Sequence, residues 1–192
     1  DMFYIDVTAR NDWSSTLPDN NNSYFYPSVS PSLLVNRLLG FGNGVSLFKL
    51  RAGYAEVGND TDPYRLQPTL SGGTSWGSGS LLSVGSTLLN PDLKPESIKS
   101  WEAGADLAFF NNRLSMDFTY YTADNENQIF GIALPISSGY SSKNTNAGLL
   151  RSTGVEAGLN ANIINSNDWR WDMGFVFNRN RTKVIELAEG MN

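Results

Sequence analysis

Cysteine and histidine are both absent from the 192 residues. Without histidine there is no Ser–His or Cys–His nucleophile pair and no ordinary zinc ligand set. Without cysteine there is no disulfide, which suits an envelope protein that needs none and decides little else. Charge is scarce: Asp, Glu, Lys and Arg make 17% of the chain, against about a quarter in an ordinary soluble domain. The net charge is −5 and no basic cluster stands out, which argues against a nucleic-acid partner, because phosphates are bound through Lys/Arg patches. No apolar run approaches ~18 residues, so a membrane-spanning helix is excluded. The mean hydropathy of −0.29 does not exclude a strand that crosses a bilayer, because such strands hide their apolar face in alternate residues.

What is abundant is strand and turn chemistry. Glycine numbers 18 and aromatics make 12%, with Asn and Ser frequent throughout. Apolar residues alternate with polar ones from end to end, and helical periodicity does not appear. The clearest strand runs from Ser97 to Phe110, with Trp101, Ala103, Ala105, Leu107 and Phe109 on one face. Asn111-Asn112 then supplies two residues that tolerate positive φ, as a type I′ hairpin requires. The return strand alternates Leu114, Met116, Phe118 and Tyr120 with Ser115, Asp117, Thr119 and Tyr121.

The same alternation occurs around Phe3–Arg10, Phe48–Tyr54, Gly154–Ile163 and Trp169–Asn178. A weaker strand interrupted by Pro27 and Pro31 covers roughly Tyr24 to Asn36. The reading is about seven strands, several longer than the roughly 9–11 residues a tilted strand needs to cross a bilayer.

Connections alternate in length. Those at Trp13–Ser23, Gly58–Pro95 and Ala123–Lys143 are moderate to long; those at Arg37–Gly44, Asn111-Asn112 and Asn165–Asp168 are short. Short periplasmic turns and long extracellular loops sort this way in outer-membrane barrels. On that orientation Trp13, Tyr24, Tyr26, Tyr54, Trp101 and Tyr120 fall near the outer rim, and Phe109, Phe110, Trp169 and Trp171 near the periplasmic rim. Aromatic girdles of this kind settle at headgroup level. The pattern predicts an all-β, antiparallel up-and-down transmembrane β-barrel segment over residues 1–192. The rival is a soluble carbohydrate-binding β-sandwich, whose apolar face would be buried against a second sheet.

Chemical candidates are weak. A glycosidase needs a carboxylate pair, for which Glu102/Asp106 and Glu156/Asp172 are the candidates. Glu102 and Asp106 share a face, but four residues of strand separate them by about 13 Å, beyond either glycosidase spacing. No enzyme activity and no cofactor are expected. Asp6, Lys49, Arg51, Glu102, Asp106, Glu156, Arg170 and Asp172 read instead as the polar lining of a lumen, with the cations balancing the acids. Asn59-Asp60-Thr61-Asp62 could offer oxygens to Ca²⁺, but no complete calcium-loop spacing follows, and an Asx-rich turn is the plainer reading. Gly72-Gly73 and Gly77-Ser78-Gly79-Ser80 read as a flexible loop rather than a phosphate loop, since no Lys or helix follows. Tyr64, Trp76 and Tyr140 could stack on a substrate or touch a lid; packing within their own loops explains them equally well.

Several blocks resemble the SusC/RagA-type TonB-dependent receptors of Bacteroidetes. Phe48-Lys49-Leu50-Arg51-Ala52-Gly53-Tyr54, running on to Val57-Gly58-Asn59, is similar to their LKLRASYGxxGN block. Asn90-Pro91-Asp92-Leu93-Lys94-Pro95-Glu96 with Trp101-Glu102-Ala103-Gly104 is similar to NPxLKPExxxxxExG. Asp6–Trp13, Tyr26–Ser30, Phe110–Leu114, Tyr120-Tyr121 and Ser138-Gly139-Tyr140 follow the same order. So do Asn146-Ala147-Gly148, Gly154-Val155-Glu156, Trp171, Asn178-Arg179-Asn180 and Lys183-Val184. The resemblance covers nearly the whole chain. It implies an integral protein of the Gram-negative outer membrane, in contact with lipid, that imports oligosaccharides or peptides. It further implies TonB acting through a plug and a SusD-like lipoprotein capping the outer face. No signal peptide, TonB box, plug or aromatic-ended final strand is legible in this window, so the expectation is a segment of a longer chain, about a third of a 22-stranded wall.

Overall fold

The computed structural model describes residues 2–42 and 44–187. Twelve strands follow in chain order: β1 (Phe3–Trp13), β2 (Ser23–Leu34), β3 (Val45–Asn59), β4 (Leu70–Gly72), β5 (Leu82–Val84), β6 (Thr87–Leu88), β7 (Glu96–Phe109), β8 (Leu114–Glu126), β9 (Ile129–Ala133), β10 (Ser142–Asn146), β11 (Leu149–Asn165) and β12 (Arg170–Glu186). One helical turn, α1 (Val35–Leu39), joins β2 to β3.

Seven long strands form one antiparallel sheet in the order β1-β2-β3-β7-β8-β11-β12. Each pairs with its neighbour in the chain once the short loop strands are set aside, which is an up-and-down arrangement. β1 and β12 do not pair with each other, so the sheet is open, with two edges. The seven strands span 11 to 17 residues, each enough for a tilted strand to cross a bilayer.

Register decides the faces, because residues directly opposite across an antiparallel pair point the same way. Phe48, Leu107, Met116, Leu159 and Phe175 form one row; Ala52, Ala103, Tyr120 and Val155 form another. The apolar residues of all seven strands thus share a face, and nothing covers it among the described residues. Val7 is 69% exposed, Phe118 48% and Phe175 60%. A sandwich would bury these side chains against a second sheet, so the sandwich rival fails. The buried hydrophobics are Leu17, Val35, Leu93, Ala108 and Ala147, and only Ala108 belongs to a long strand. Leu17, Leu93 and Ala147 come one each from the three long connections.

Three local readings change. The strand expected through Asn36 ends at Leu34, and residues 35–39 wind into α1, closed by Gly40 in the left-handed region (φ 60). Pro27 and Pro31 do not interrupt β2 on its β1 side, where the register is continuous. They coincide with gaps on the β3 side, where pairing lapses at Ser30–Pro31 and ends at Ser28. A proline has no N–H to give the ladder, so the prolines are tolerated where no bond is asked of them. The β7–β8 turn spans Phe110–Arg113: Asn111 and Asn112 sit at φ 55 and 66 and Arg113 N–H donates to the Phe110 carbonyl, as a type I′ turn requires. Phe110 also lies at positive φ (54), so the strand stops one residue earlier than the alternation suggests.

The Gly/Ser-rich stretch is not a structureless loop. β4 and β5 pair as a hairpin, with Trp76 and Gly79 bridging its tip and Gly77 at φ 60 turning it. Further along, β6 pairs in parallel with β10, which pairs with β9. The connections of residues 60–95 and 127–148 are therefore joined through a small sheet of their own.

Candidate functional site

Two regions gather the polar chemistry: the polar face of the large sheet and the knot of long connections at one end of it.

On the polar face Arg51 occupies the centre. Its Nη2 donates to Thr119 Oγ1 at 2.5 Å and its Nε to Asp106 Oδ1 at 3.3 Å, while Lys49 Nζ stands 3.7 Å from Asp106 Oδ2. The register puts Asp117 directly opposite Asp106. Two carboxylates so placed repel, and Lys49 and Arg51 supply the compensating charge. Towards the short-turn end Asp172 accepts from Arg170 Nε (2.8 Å) and Asn162 Nδ2 (2.6 Å). Glu156 accepts from Asn178, Glu102 lies over Gly53, and Asp6 stands opposite Ser30 on the outermost pair. All eight residues read from the sequence as a polar lining therefore share one face. Asp106 is paired with Lys49 and Arg51 and Asp172 with Arg170, whereas Glu102 and Glu156 have no ion pair among the described residues.

Glycines make room for these side chains. A Cβ on Gly154 would clash with the phenol end of Tyr121, one on Gly158 would strike the Asp117 carboxylate, and one on Gly53 would stand 2.8 Å from Glu102 Cγ. Each glycine is the cross-strand partner of the side chain that lies over it. Near the short turns the same face opens into a cleft of about 400 Å³ lined by Asn112, Arg113, Asn160, Asn162, Arg170 and Asp172.

The knot at the other end is tied by side chains to which sequence reasoning gave no such role. Asn146 Oδ1 accepts from the Lys94 N–H (2.8 Å), and Asn146 Nδ2 donates to the carbonyls of Lys94 and Asn127 (2.8 Å each). Asn21 Nδ2 reaches the Leu93 carbonyl at 3.4 Å, and Leu93 is fully buried. Glu96 accepts from Asn59 Nδ2 and from the Ile129 N–H. Asp60 accepts from the hydroxyls of Ser14 (2.5 Å) and Thr16 (3.2 Å), and Asp62 from Arg65. Both carboxylates of the Asn59–Asp62 turn are thus engaged by protein donors. The signal for this knot lay in two of the blocks above: Asn90–Glu96 and Asn146–Gly148 bind each other.

The aromatic candidates are spread apart. Tyr64 (φ 63, 81% exposed) flanks a cleft of about 460 Å³ shared with Ser15 and Thr16 of the first long connection. Trp76 is equally exposed at the β4–β5 tip, and Tyr140 follows the 3₁₀ turn Ile136–Ser138. No stacked pair joins them. Two of the rim aromatics stand on the polar side, where Tyr24 and Tyr26 pair with Asp12 and Arg10. Tyr26 donates to Asp12 and lies under the Arg10 guanidinium, and Tyr24 covers Gly58. Phe25, between them, takes the apolar side, while Tyr54 and Trp101 pack against each other on that side, centroids 4.2 Å apart and planes tilted by 40°.

Comparison with known proteins completes the description. The family model described as TonB dependent receptor-like, beta-barrel, matches residues 1–188. TonB-dependent receptor P3 of Formosa agariphila is 34% identical over 98% of this chain and 19% of its own length. TonB-dependent receptor SusC of Bacteroides thetaiotaomicron is 25% identical over 98% of this chain and 20% of its own. The RagAB peptide importer in its closed-closed state matches all of this chain and 21% of its own, with a TM-score of 0.91 and 30% identity. The chain spans about a fifth of the length of each of these relatives.

Proposed function

The chain belongs to the TonB-dependent receptor-like β-barrel family, and from that premise we propose that it forms seven consecutive wall strands of an outer-membrane nutrient importer. The observation that carries this reading is the contrast between the two faces. One presents an uncovered apolar band across all seven strands, far larger than the few hundred Å² a water-soluble surface tolerates. The other holds the Arg51–Asp106–Thr119 network and the Asp172 cluster. The apolar face meets lipid and the polar face lines the lumen. Only a closed barrel satisfies every backbone group inside a bilayer, so strands from the rest of the protein complete the ring beyond β1 and β12.

The long-connection end is extracellular on this reading, because outer-membrane barrels keep their turns short on the periplasmic side. Peptides or oligosaccharides, the substrate classes of the proposal, arrive there. Tyr64 and Trp76 are exposed at that end and are the proposed contacts for substrate or for a SusD-like capping lipoprotein, with the half-buried Tyr140 as a third. TonB acts from the periplasm through a plug belonging to the rest of the protein, and the lumenal carboxylates and cations of this segment face that plug. Nothing in these roles calls for bond-making chemistry, and the wall serves transport rather than catalysis.

The test is spin labelling of the full-length receptor in liposomes at Phe118 and, separately, at Glu102. The Phe118 label is expected to be quenched by oxygen dissolved in lipid and the Glu102 label by an aqueous nickel reagent. The same accessibility at both sites, or the reverse, would refute the face assignment.

A further inference from the structure

Charges on the apolar side of the sheet are confined to the long-connection end, and most are internally satisfied. In one row Glu56, Lys99, Asp124, Arg151 and Lys183 lie opposite one another in turn. Glu56 accepts from Tyr54, Lys99 pairs with Glu126 at 2.7 Å, and Arg151 grips both oxygens of Asp124 at 2.6 Å. β12 breaks the pattern. Below Lys183 the same side of the strand carries Arg181 and Arg179, and below them Phe177 and Phe175. Arg179, Arg181 and Lys183 are exposed and make no ion pair among the described residues.

Their height on the wall is fixed by register. Arg181 shares a row with Thr153, Thr122 and Trp101, and Arg179 with Val155 and Tyr120. Both guanidiniums therefore stand at the level of the aromatic girdle, where hydrocarbon gives way to headgroups. Between them and Tyr120 the short side chains of Thr153 and Val155 leave a cleft of about 230 Å³, with the arginines as one wall and the tyrosine as the other.

We propose that Arg179 and Arg181 form a binding site for a phosphorylated lipid headgroup of the outer leaflet. Two arginines two residues apart on a strand are separated by about 6.7 Å, so one phosphate can be gripped from both sides. Guanidiniums bind phosphate through paired N–H donors, and at this depth the low dielectric strengthens the attraction. Thr153 faces the same cleft and its hydroxyl can serve a sugar or ester oxygen. Acyl chains leaving the site run down Phe177 and Phe175, the next residues on that side. Lys183 extends the positive charge towards solvent and gathers further headgroups. The proposal rests on the lipid-facing assignment of the apolar side made above.

The experiment uses the full-length receptor, delipidated in detergent, and measures retention of added lipid by native mass spectrometry. The probes are a phosphorylated glucosamine-disaccharide lipid, its dephosphorylated form, and inorganic phosphate as competitor. The expected result is preferential retention of the phosphorylated lipid, reduced roughly tenfold in an Arg179→Gln/Arg181→Gln variant, as loss of charge-assisted hydrogen bonds implies. Equal retention of both lipids, or no change in the variant, overturns the proposal. So does displacement by inorganic phosphate at concentrations matching those of the lipid, which would make the site one for a free anion. If the variant is destabilised equally with and without lipid, the arginines are held by carboxylates elsewhere in the receptor and the proposal fails. The spin label at Phe118 separates the two readings: loss of phosphate discrimination with that label still in lipid defeats this inference alone.

Discussion

Gly104 and Arg51 are cross-strand partners in contact: a Cβ on Gly104 would stand 2.9 Å from Arg51 Cζ and 2.7 Å from the Phe118 carbonyl oxygen. The guanidinium sits over Gly104 of β7 because that position has no side chain, and from there it reaches Asp106 and Thr119. Gly104→Val fills the slot, lifts Arg51 off the sheet and strips Asp106 of its nearer cation. Overpacking of this kind costs about 1–3 kcal/mol. The expected outcome is a lower urea midpoint for the full-length receptor, with Gly85→Val, which meets nothing within 4 Å, as the harmless control.

The two faces should differ in their tolerance of charge. Phe118→Lys places an ammonium near the middle of the apolar band and is expected to cost about 2–4 kcal/mol. Glu102→Gln removes a charge that has no ion pair among the described residues and should change stability by less than about 0.5 kcal/mol. Equilibrium unfolding in vesicles decides it, and comparable losses at the two positions would contradict the lipid and lumen assignments.

Asn146 holds two long connections together through both ends of its amide. Asn146→Ala removes the amide from the Lys94 N–H and carbonyl and from the Asn127 carbonyl; the Lys94 groups are open to water, so the expected loss is that of an ordinary hydrogen bond, about 0.5–1.5 kcal/mol. The effect should be local: protease added to intact cells cleaves residues 60–95 faster in the variant, while the Asn111-Asn112 turn stays protected in both. Cleavage at Asn111-Asn112 from outside would invert the proposed orientation.

Residues 1–192 alone leave β1 and β12 as open edges. Unpaired edges in hydrocarbon are unsatisfied, and in water they invite mispairing. Refolded into liposomes, this segment is expected to show no heat-modifiable band on gel electrophoresis. A monodisperse, cooperatively unfolding monomer in water would contradict the open-sheet reading.

The two faces were legible in the sequence because strand periodicity is local. Trp101, Ala103, Ala105 and Leu107 must point together in any extended chain, so their alternation needs no knowledge of neighbours. The long and short connections were legible for the same reason, as were the asparagines of the β7–β8 turn, whose tolerance of positive φ is a property of the residue. The eight polar-face residues could be chosen from parity alone.

What parity cannot supply is register across strands. That Gly104 lies under Arg51, that Asp117 faces Asp106, and that Asn146 clamps Lys94 across 52 positions depend on which strands are neighbours and on their offset. Tyr24 and Tyr26 were read only as lying near the outer rim; pairing with Asp12 and Arg10 sets their side, since a shift of one residue exchanges the faces of a strand. The cations of β12 were not legible as a cluster because Arg179, Arg181 and Lys183 are spaced by asparagine and threonine and never form a run. The alternation that hid them places all three on one side, and the tertiary register sets Arg181 level with Trp101 and Arg179 level with Tyr120. The sequence by itself determined which residues share a face and where the chain turns, because those follow from the geometry of one strand. Only the assembled sheet decided what each side chain touches, because contact across strands is fixed by hydrogen-bond register between segments far apart in the chain.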